Sequence, residues 1–424
     1  MLSKFTQIWK IPDLRKSILY VFGMLVIFRL AAHIPVPGID TTALKRLFES
    51  NQLLGLMNIF SGGSMENFSV VMLGVAPYIT ASIIFQLLVM VIPRLEELSK
   101  EGEYGRRKIN QWTRWLTVPL ALLQSFCMIS ILSRSAGQVV GGLSPFDLGL
   151  AMITITAGTV FLMWLGELIS ERHIGNGISL LIFAGIVSGL PQSFSSTIFT
   201  YDQTQIINMV IFAAIAVVTI IGVVIITEGQ RNIPVSYARQ VRGNRMYGGT
   251  TTHLPLRVNQ AGVIPIIFAI SIILLPPMIA QFFVQAKTAW LAAGAESVIR
   301  LFQNQLFYGL AYFVLVVAFT YFYTAVIFHP DQIAENLQKQ GGFVPGIRPG
   351  KTTAEYLQRI VTRIIFTGAL FLGIIAVLPL ITAQLTGTQT LVIGGTSLLI
   401  VVSVVIETVN QINAQLAMRD YEKI

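Results

Sequence analysis

Long apolar runs separated by short polar connections set the pattern of this chain. Ten of them reach or approach the length that crosses a bilayer as a helix: 17–34, 70–92, 113–133, 150–170, 175–193, 206–226, 262–284, 305–327, 360–381 and 391–411. One stretch, Leu53 to Pro93, breaks the rhythm. Its second part, Val70 to Ile92, can span. Its first part, Leu53 to Phe60, is apolar but too short, and Ser61-Gly62-Gly63-Ser64 ends it, with Glu66 and Asn67 following. A short helix that enters a membrane and stops needs protein or a water-filled cavity around its free backbone groups. The same residues also fit a helix lying flat at the interface, and this stretch alone leaves both readings open.

Composition sharpens the class. The chain has 424 residues, 54% of them hydrophobic and 12% charged, with a mean hydropathy of +0.71. That is the composition of a polytopic membrane protein. A single cysteine, Cys127, rules out an internal disulfide, and His33, His173, His253 and His329 show no metal-ligand spacing, so neither a metal nor a cofactor is expected. Lys4, Lys10, Arg15 and Lys16 precede a full-length first span with no small-residue cleavage site after it, so that span is expected to be retained.

The net charge of +9 is informative through its distribution. With the N-terminus inside, 23 Lys and Arg fall in inner segments and 5 in outer ones (Lys45, Arg46, Arg134, Lys287 and Arg300). Both termini are then cytoplasmic. Two inner loops, Glu228 to Ala261 and His329 to Arg359, are long, basic and rich in Gly and Pro. Contact with anionic lipid accounts for the charge but not the length, which favours a docking surface for a cytosolic partner.

Five spans on each side of residue 196 permit two halves, 1–196 and 197–424, and an odd number of spans per half makes them inverted. Gly189-Leu190-Pro191 is expected to close the fifth span, with a hinge nearby.

Chemistry is sparse. Within the spans the charges are Arg29, Glu167 and Glu407, apart from Arg114 and Arg363 near inner ends. Glu167 and Glu407 also lie near inner ends, as interfacial or paired groups rather than a relay. There is no GxxxxGK[ST] motif, no HExxH and no Ser-His set, so neither a motor nor an enzyme is expected. Ile79 and Ile83 share a helix face, as do Ile182 and Ile186, with small residues Ala81, Ser82, Ala184 and Gly185 beside them. By itself that spacing is ordinary packing.

Specific blocks carry a family resemblance over nearly the whole length: RLAAHIPVPGID at 29–40, NIFSGGSMENFSVVMLGVAPYITASIIFQLL at 58–88, EGEYGRRKINQWTR at 101–114, ERHIGNGISLLIFAGIVSGLP at 171–191, THLPLRVNQAGVIPIIFA at 252–269, GGFVPGIRPGKTTAEYL at 341–357 and GGTSLLIVVSVVIETVNQI at 394–412. In these the chain resembles the SecY family, the main subunits of the bacterial protein-conducting channel. The resemblance implies an all-α fold of ten transmembrane helices in two inverted, pseudo-symmetric halves around a central pore, opening like a clamshell. It implies a pore ring at Ile79, Ile83, Ile182, Ile186, Ile267 and Ile400, and a plug over Asn58, Ile59, Phe60, Ser61, Gly62, Gly63, Ser64, Met65, Glu66 and Asn67 within a short helix at about 55–67. The second, third, seventh and eighth spans would form a lateral gate. Arg348 matches an arginine needed for motor-driven translocation. Arg242 and Arg245 sit at the tip of the earlier loop, where the family often shows Gly-Arg-Arg and this chain has Gly243-Asn244-Arg245. The implied partners are the small subunits SecE and SecG, the SecA ATPase, the ribosome, signal sequences, unfolded preproteins and membrane lipid, with no direct DNA binding. The implied location is the bacterial cytoplasmic membrane.

The expectation is therefore a passive channel that moves unfolded polypeptides across the membrane and releases apolar segments sideways into it. A secondary transporter for a small molecule would also have inverted repeats and broken helices, but would want carboxylates at mid-depth. A scaffold that binds cytosolic proteins through its basic loops is a third reading, and ion leak on substituting the ring would exclude it.

Overall fold

The computed structural model describes residues 9, 11–36, 63–65, 67–135, 144–199, 206–237, 240–242, 245–247, 251–284, 288–386 and 390–421. Helices α1 (Pro12–Ala32), α2 (Ala76–Val91), α3 (Pro93–Lys100), α4 (Glu103–Ser135), α5 (Pro145–Ser170), α6 (Gly177–Phe199) and α7 (Ile206–Glu228) come first. Strands β1 (Gln230–Tyr237), β2 (Gln240–Arg242), β3 (Arg245–Tyr247) and β4 (Thr251–Arg257) follow. Then come α8 (Ile264–Phe283), α9 (Ala289–Gln303), α10 (Gln305–Ile327), α11 (Pro330–Lys339), β5 (Gly342–Phe343), α12 (Lys351–Thr386) and α13 (Thr390–Tyr421).

Each expected span overlaps one of these helices. By length and composition, Pro145–Ser170, Gln305–Lys339, Lys351–Leu378 and Ser397–Met418 can each cross a membrane, and shorter apolar helices lie at Gly177–Gly189, Ala213–Glu228 and Ile264–Ala280. Helices α2 and α3 together pass the same test but meet at 101°. Pro93 explains the corner: a residue before proline is pushed out of the helical region, and Ile92 is extended at φ −102°, ψ 111°.

Two boundaries differ from the sequence reading. The expected span 70–92 becomes helical only at Ala76, because Val70 to Val75 run in turns, with Gly74 at φ +58°. The expected stop at Gly189-Leu190-Pro191 is not a stop, since α6 continues through Pro191 to Phe199. A membrane helix tolerates the lost amide where neighbours re-satisfy the freed carbonyl. Helix α8 likewise carries Pro276 and Pro277 inside it.

Packing follows a repeated scheme. In the first part α1 packs on α5 and α6, α2 on α4, α4 on α5, and α5 on α6. In the second, α7 packs on α12 and α13, α8 on α10, α10 on α12, and α12 on α13. The two sets meet where α8 lies against α2 and α4, and where α13 lies against α6. Glycines permit the closest approaches: a Cβ on Gly177 would collide with the Gly166 carbonyl, so α5 and α6 cross backbone to backbone there. Ser144 and Asp147 form a reciprocal capping box at the start of α5, and Asn304 Oδ1 accepts from Leu306 N at 3.0 Å to start α10.

The two long inner loops are one structure. β1 pairs antiparallel with β4, from Gln230 opposite Arg257 to Ser236 opposite Thr251, and pairs on its other side with β5. The sheet order β4-β1-β5 thus ties the first loop to the second. Ile233 and Leu256 from the sheet enter one core with Val344, Leu357, Ile360 and Val361.

Candidate functional site

A cavity of about 60 Å³ lies on the α8 seam, large enough to admit water. Ile79 and Thr80 reach it from α2, Gln124 from α4, Ile182 from α6, and Ile267, Ile270 and Ser271 from α8. Among the described residues, none on its wall carries a charge. Its hydroxyls are largely committed: Thr80 Oγ1 donates to the Ala76 carbonyl at 3.0 Å and Ser271 Oγ to the Ile267 carbonyl at 2.9 Å. The wall offers a passing group little to bind.

All six isoleucines singled out from the sequence are buried in a single apolar core, from 7% exposure at Ile79 to 0% at Ile400. Three of them, Ile79, Ile182 and Ile267, line the cavity. Ile83, Ile186 and Ile400 are packed in the surrounding core and not on its wall. Sequence reasoning missed Thr80, Gln124 and Ser271. The signal for them in the sequence is a single polar residue within an apolar span.

Of the segment 58–67, residues 58–62 and Glu66 lie outside the described residues. The trailing end is well defined. Gly63 takes φ +75°, a conformation that favours glycine. Ser64 Oγ donates to the Val71 carbonyl at 3.0 Å, and Ser69 N donates to the Ser64 carbonyl at 3.0 Å. The Pro35–Ser69 bridge then pins the turn to the chain leaving α1: Val36 N donates to the Phe68 carbonyl at 2.8 Å and Val70 N to the Ile34 carbonyl at 2.9 Å. Met65, Phe68, Met72 and Leu73 are buried against Met128, Ile129 and Leu132 of α4 and Ile155 of α5. Met65 and Leu73 also reach the cavity, so the trailing end of this segment forms part of its wall.

Among the docking candidates, Arg348 is exposed on the turn between β5 and α12. Val344 is buried and Ile347 packs beside it in the inner core, while Gly346 and Gly350 take φ +81° and +97° to turn the backbone around them. The Arg348 carbonyl accepts from Thr353 Oγ1 at 2.8 Å. The side chain is thus presented from a rigid knuckle. Arg242 and Arg245 are paired positions at the end of the β2–β3 hairpin, with Gly243 and Asn244 outside the described residues.

The inner-end carboxylate on α5 is paired: Arg114 Nε lies 2.6 Å from Glu167 Oε1. The turn between α5 and α6 is a further junction. The Arg172 guanidinium lies 4.2 Å from the Tyr20 ring centroid on α1, and Gln415 on α13 donates to the His173 carbonyl at 2.7 Å. Among the described residues no group of three His, Cys, Asp or Glu is arranged to hold a metal ion.

Comparison with known proteins places this geometry. The SecY family model matches residues 69–409. Protein translocase subunit SecY of Streptomyces scabiei is 42% identical over 100% of this chain and 99% of its own length. The subunits of Streptomyces galbus and of Mycobacterium tuberculosis H37Rv are 43% and 42% identical with the same coverage. Among solved structures, one described as a protein conducting channel superposes with a TM-score of 0.63 at 19% identity, covering 93% of this chain and 91% of its own. Sec61 in the canine ribosome-channel complex from the endoplasmic reticulum gives 0.59 at 18% identity, with the same coverage. The fold is that of these channels, and a multi-pass membrane chain with full-length relatives at such identity belongs to the SecY family.

Proposed function

We propose that this chain is the protein-conducting channel of a bacterial cytoplasmic membrane. It passes unfolded secretory polypeptides across the bilayer and releases apolar segments sideways into lipid. The observation that carries the reading is the charge-free cavity at the α2–α8 seam, with isoleucines from three helices on its wall. A channel for arbitrary sequences must hold no side chain strongly, and an apolar constriction excludes water and ions when idle. Ile79, Ile83, Ile182, Ile186, Ile267 and Ile400 are the ring, brought by α2, α6, α8 and α13 into one core. A transporter would want carboxylates at mid-depth, and none of the described residues on this wall is one.

The two halves are 1–196 and 197–424. Their support is the packing scheme: pairing α1, α2, α4, α5 and α6 with α7, α8, α10, α12 and α13 maps the principal contacts of one half onto those of the other. Helices α2, α4, α8 and α10 are the lateral gate, supported by the contacts of α8 with α2 and α4. An apolar signal helix entering it gains ~0.8 kcal/mol per buried CH2, and that differential affinity shifts the gate toward open. Residues 58–67 are the plug, whose fixed end is the pinned turn after Gly63.

The sheet that ties the two inner loops together supports a docking platform there for the SecA motor or a ribosome, with Arg348 exposed on the turn after β5 and Arg242 and Arg245 at the end of the separate β2–β3 hairpin as its contacts. The structural relative in a ribosome-channel complex supports the ribosome as a partner. SecE and SecG are the small membrane subunits that the family implies, and both termini are cytoplasmic by the distribution of Lys and Arg.

Reconstitution tests the reading. Purified chain with its small subunits in proteoliposomes imports a preprotein only when SecA and ATP are supplied. Ile182→Asn raises resting ion conductance in a planar bilayer severalfold over wild type. A tight membrane after this substitution rejects the ring.

A further inference from the structure

Helix α9 (Ala289–Gln303) has three faces. At about 100° per residue, Leu291, Ala295, Val298 and Phe302 fall on one side, all at least half-buried, where α9 packs on α8 and α10. Glu296 and Arg300 form a polar ridge, paired at 3.5 Å and open to solvent. Between ridge and packed face runs a third strip of Trp290, Gly294 and Leu301. Trp290 is 74% exposed and Leu301 46%.

The position of α9 identifies what covers that strip. The helix joins α8 to α10, and α8 and α10 both belong to the membrane-crossing bundle. It therefore stays at the bilayer boundary, on the side opposite the β4-β1-β5 sheet, because α8 follows β4 and the end of α10 packs through Tyr321 and Phe328 into the core with Ile233 and Leu256 of that sheet. At the start of α10, next in the chain, Leu306, Leu310 and Val314 are exposed at four-residue spacing, the pattern of a lipid-facing helix side. Helix α3 occupies the matching place between α2 and α4, and its 101° corner sets it across the bundle axis and not along it. Tryptophan is enriched at the membrane–water interface, where its apolar ring and polar N–H are both accommodated, and an amphipathic helix with a charged ridge lies in that plane.

We propose that α9 is an interfacial anchor: it lies in the outer headgroup layer of the bilayer, with Trp290 and Leu301 seated at the acyl-chain boundary against phospholipid. The proposal rests on α8 and α10 being spans, and not on the conducting activity. Because Ile267, Ile270 and Ser271 of α8 line the cavity, the anchor fixes the far end of a cavity-lining helix at a set depth.

The test uses the complete chain in vesicles of phosphatidylcholine and phosphatidylglycerol. Trp9, Trp112, Trp115 and Trp164 are replaced by Phe, leaving Trp290. Lipids brominated near the headgroup should quench its emission about twofold more than lipids brominated near the chain end, and aqueous acrylamide should quench it weakly. Free quenching by acrylamide with no bromine effect overturns the proposal, because the strip then faces water. Protection from both quenchers also overturns it, because protein then covers the strip. A nitroxide on Leu301→Cys, in a chain carrying Cys127→Ala and all its tryptophans, gives an independent reading. Collision with oxygen should exceed collision with a water-soluble nickel chelate, and the reverse order sinks the anchor. Neither measurement depends on translocation, so its failure leaves the channel reading standing.

Discussion

Arg114 on α4 donates from Nε to Glu167 Oε1 on α5 at 2.6 Å, joining two helices at the inner end of the bundle. Glu167 is only 23% exposed while Arg114 is 50% exposed, so the carboxylate is the more dependent partner. Arg114→Ala should lower stability by ~1 kcal/mol, below the 3–5 kcal/mol of a fully buried pair because solvent screens the arginine. Thermal unfolding in detergent measures it. The swap Arg114→Glu with Glu167→Arg should restore most of the loss, and no recovery would mean that the pair does not hold the helices.

The turn that closes the segment after Gly63 depends on a missing side chain. A Cβ on Gly158 of α5 would collide with the Val70 carbonyl. Gly158→Ala should therefore cost about 1–3 kcal/mol and displace the turn; on the proposal that residues 58–67 are a plug, resting ion leak should rise with it. Gly149→Ala on the same helix is the control, since a Cβ there meets nothing within 4 Å. Equal behaviour of the two variants would break the link between turn and seal.

Arg348 is displayed by a turn whose apolar neighbours, Val344 and Ile347, carry the packing. Arg348→Glu should change stability by no more than ~0.5 kcal/mol, as at other exposed sites. Motor-driven export should nevertheless be lost, with membrane insertion of the chain normal. Wild-type export by this variant would reject the docking role.

Ile400 has 0% exposure and lies in the shared core. Ile400→Thr puts a hydroxyl there at a cost of about 1–3 kcal/mol if it finds no partner. The packed arrangement described above bears that cost, so preproteins with defective signal sequences should gain export. Continued refusal of them would remove Ile400 from the ring.

Much of this was legible in the sequence because the bilayer leaves few options. Apolar runs of sufficient length had to be helices, and each expected span overlaps one. The burial of Ile79, Ile182 and Ile267 together was not legible from spacing, since a four-residue repeat of isoleucine fits lipid-facing and core surfaces alike. The inner sheet was missed for a different reason. In 228–261 the density of Gly, Pro and Arg masks the strand signal, the alternation of Ile233 with Val235 and of Leu254 with Leu256. Even with it, pairing of β1 with β5 across more than a hundred residues is a tertiary fact. The late start of α2 is not legible in hydrophobicity, because Val70 to Val75 are as apolar as the helix that follows and yet form turns.

Pro276 and Pro277 have a mechanical meaning for the side exit. Each ring removes an amide, so the carbonyls of Ile272 and Ile273 lack their usual ladder partners, and α8 is weakest at the level of Leu274 and Leu275 on the cavity wall. A rod would have to swing as a whole, tearing Ile267 and Ile270 from their neighbours. A helix softened at that level can flex its outer third alone, so the door yields without its frame.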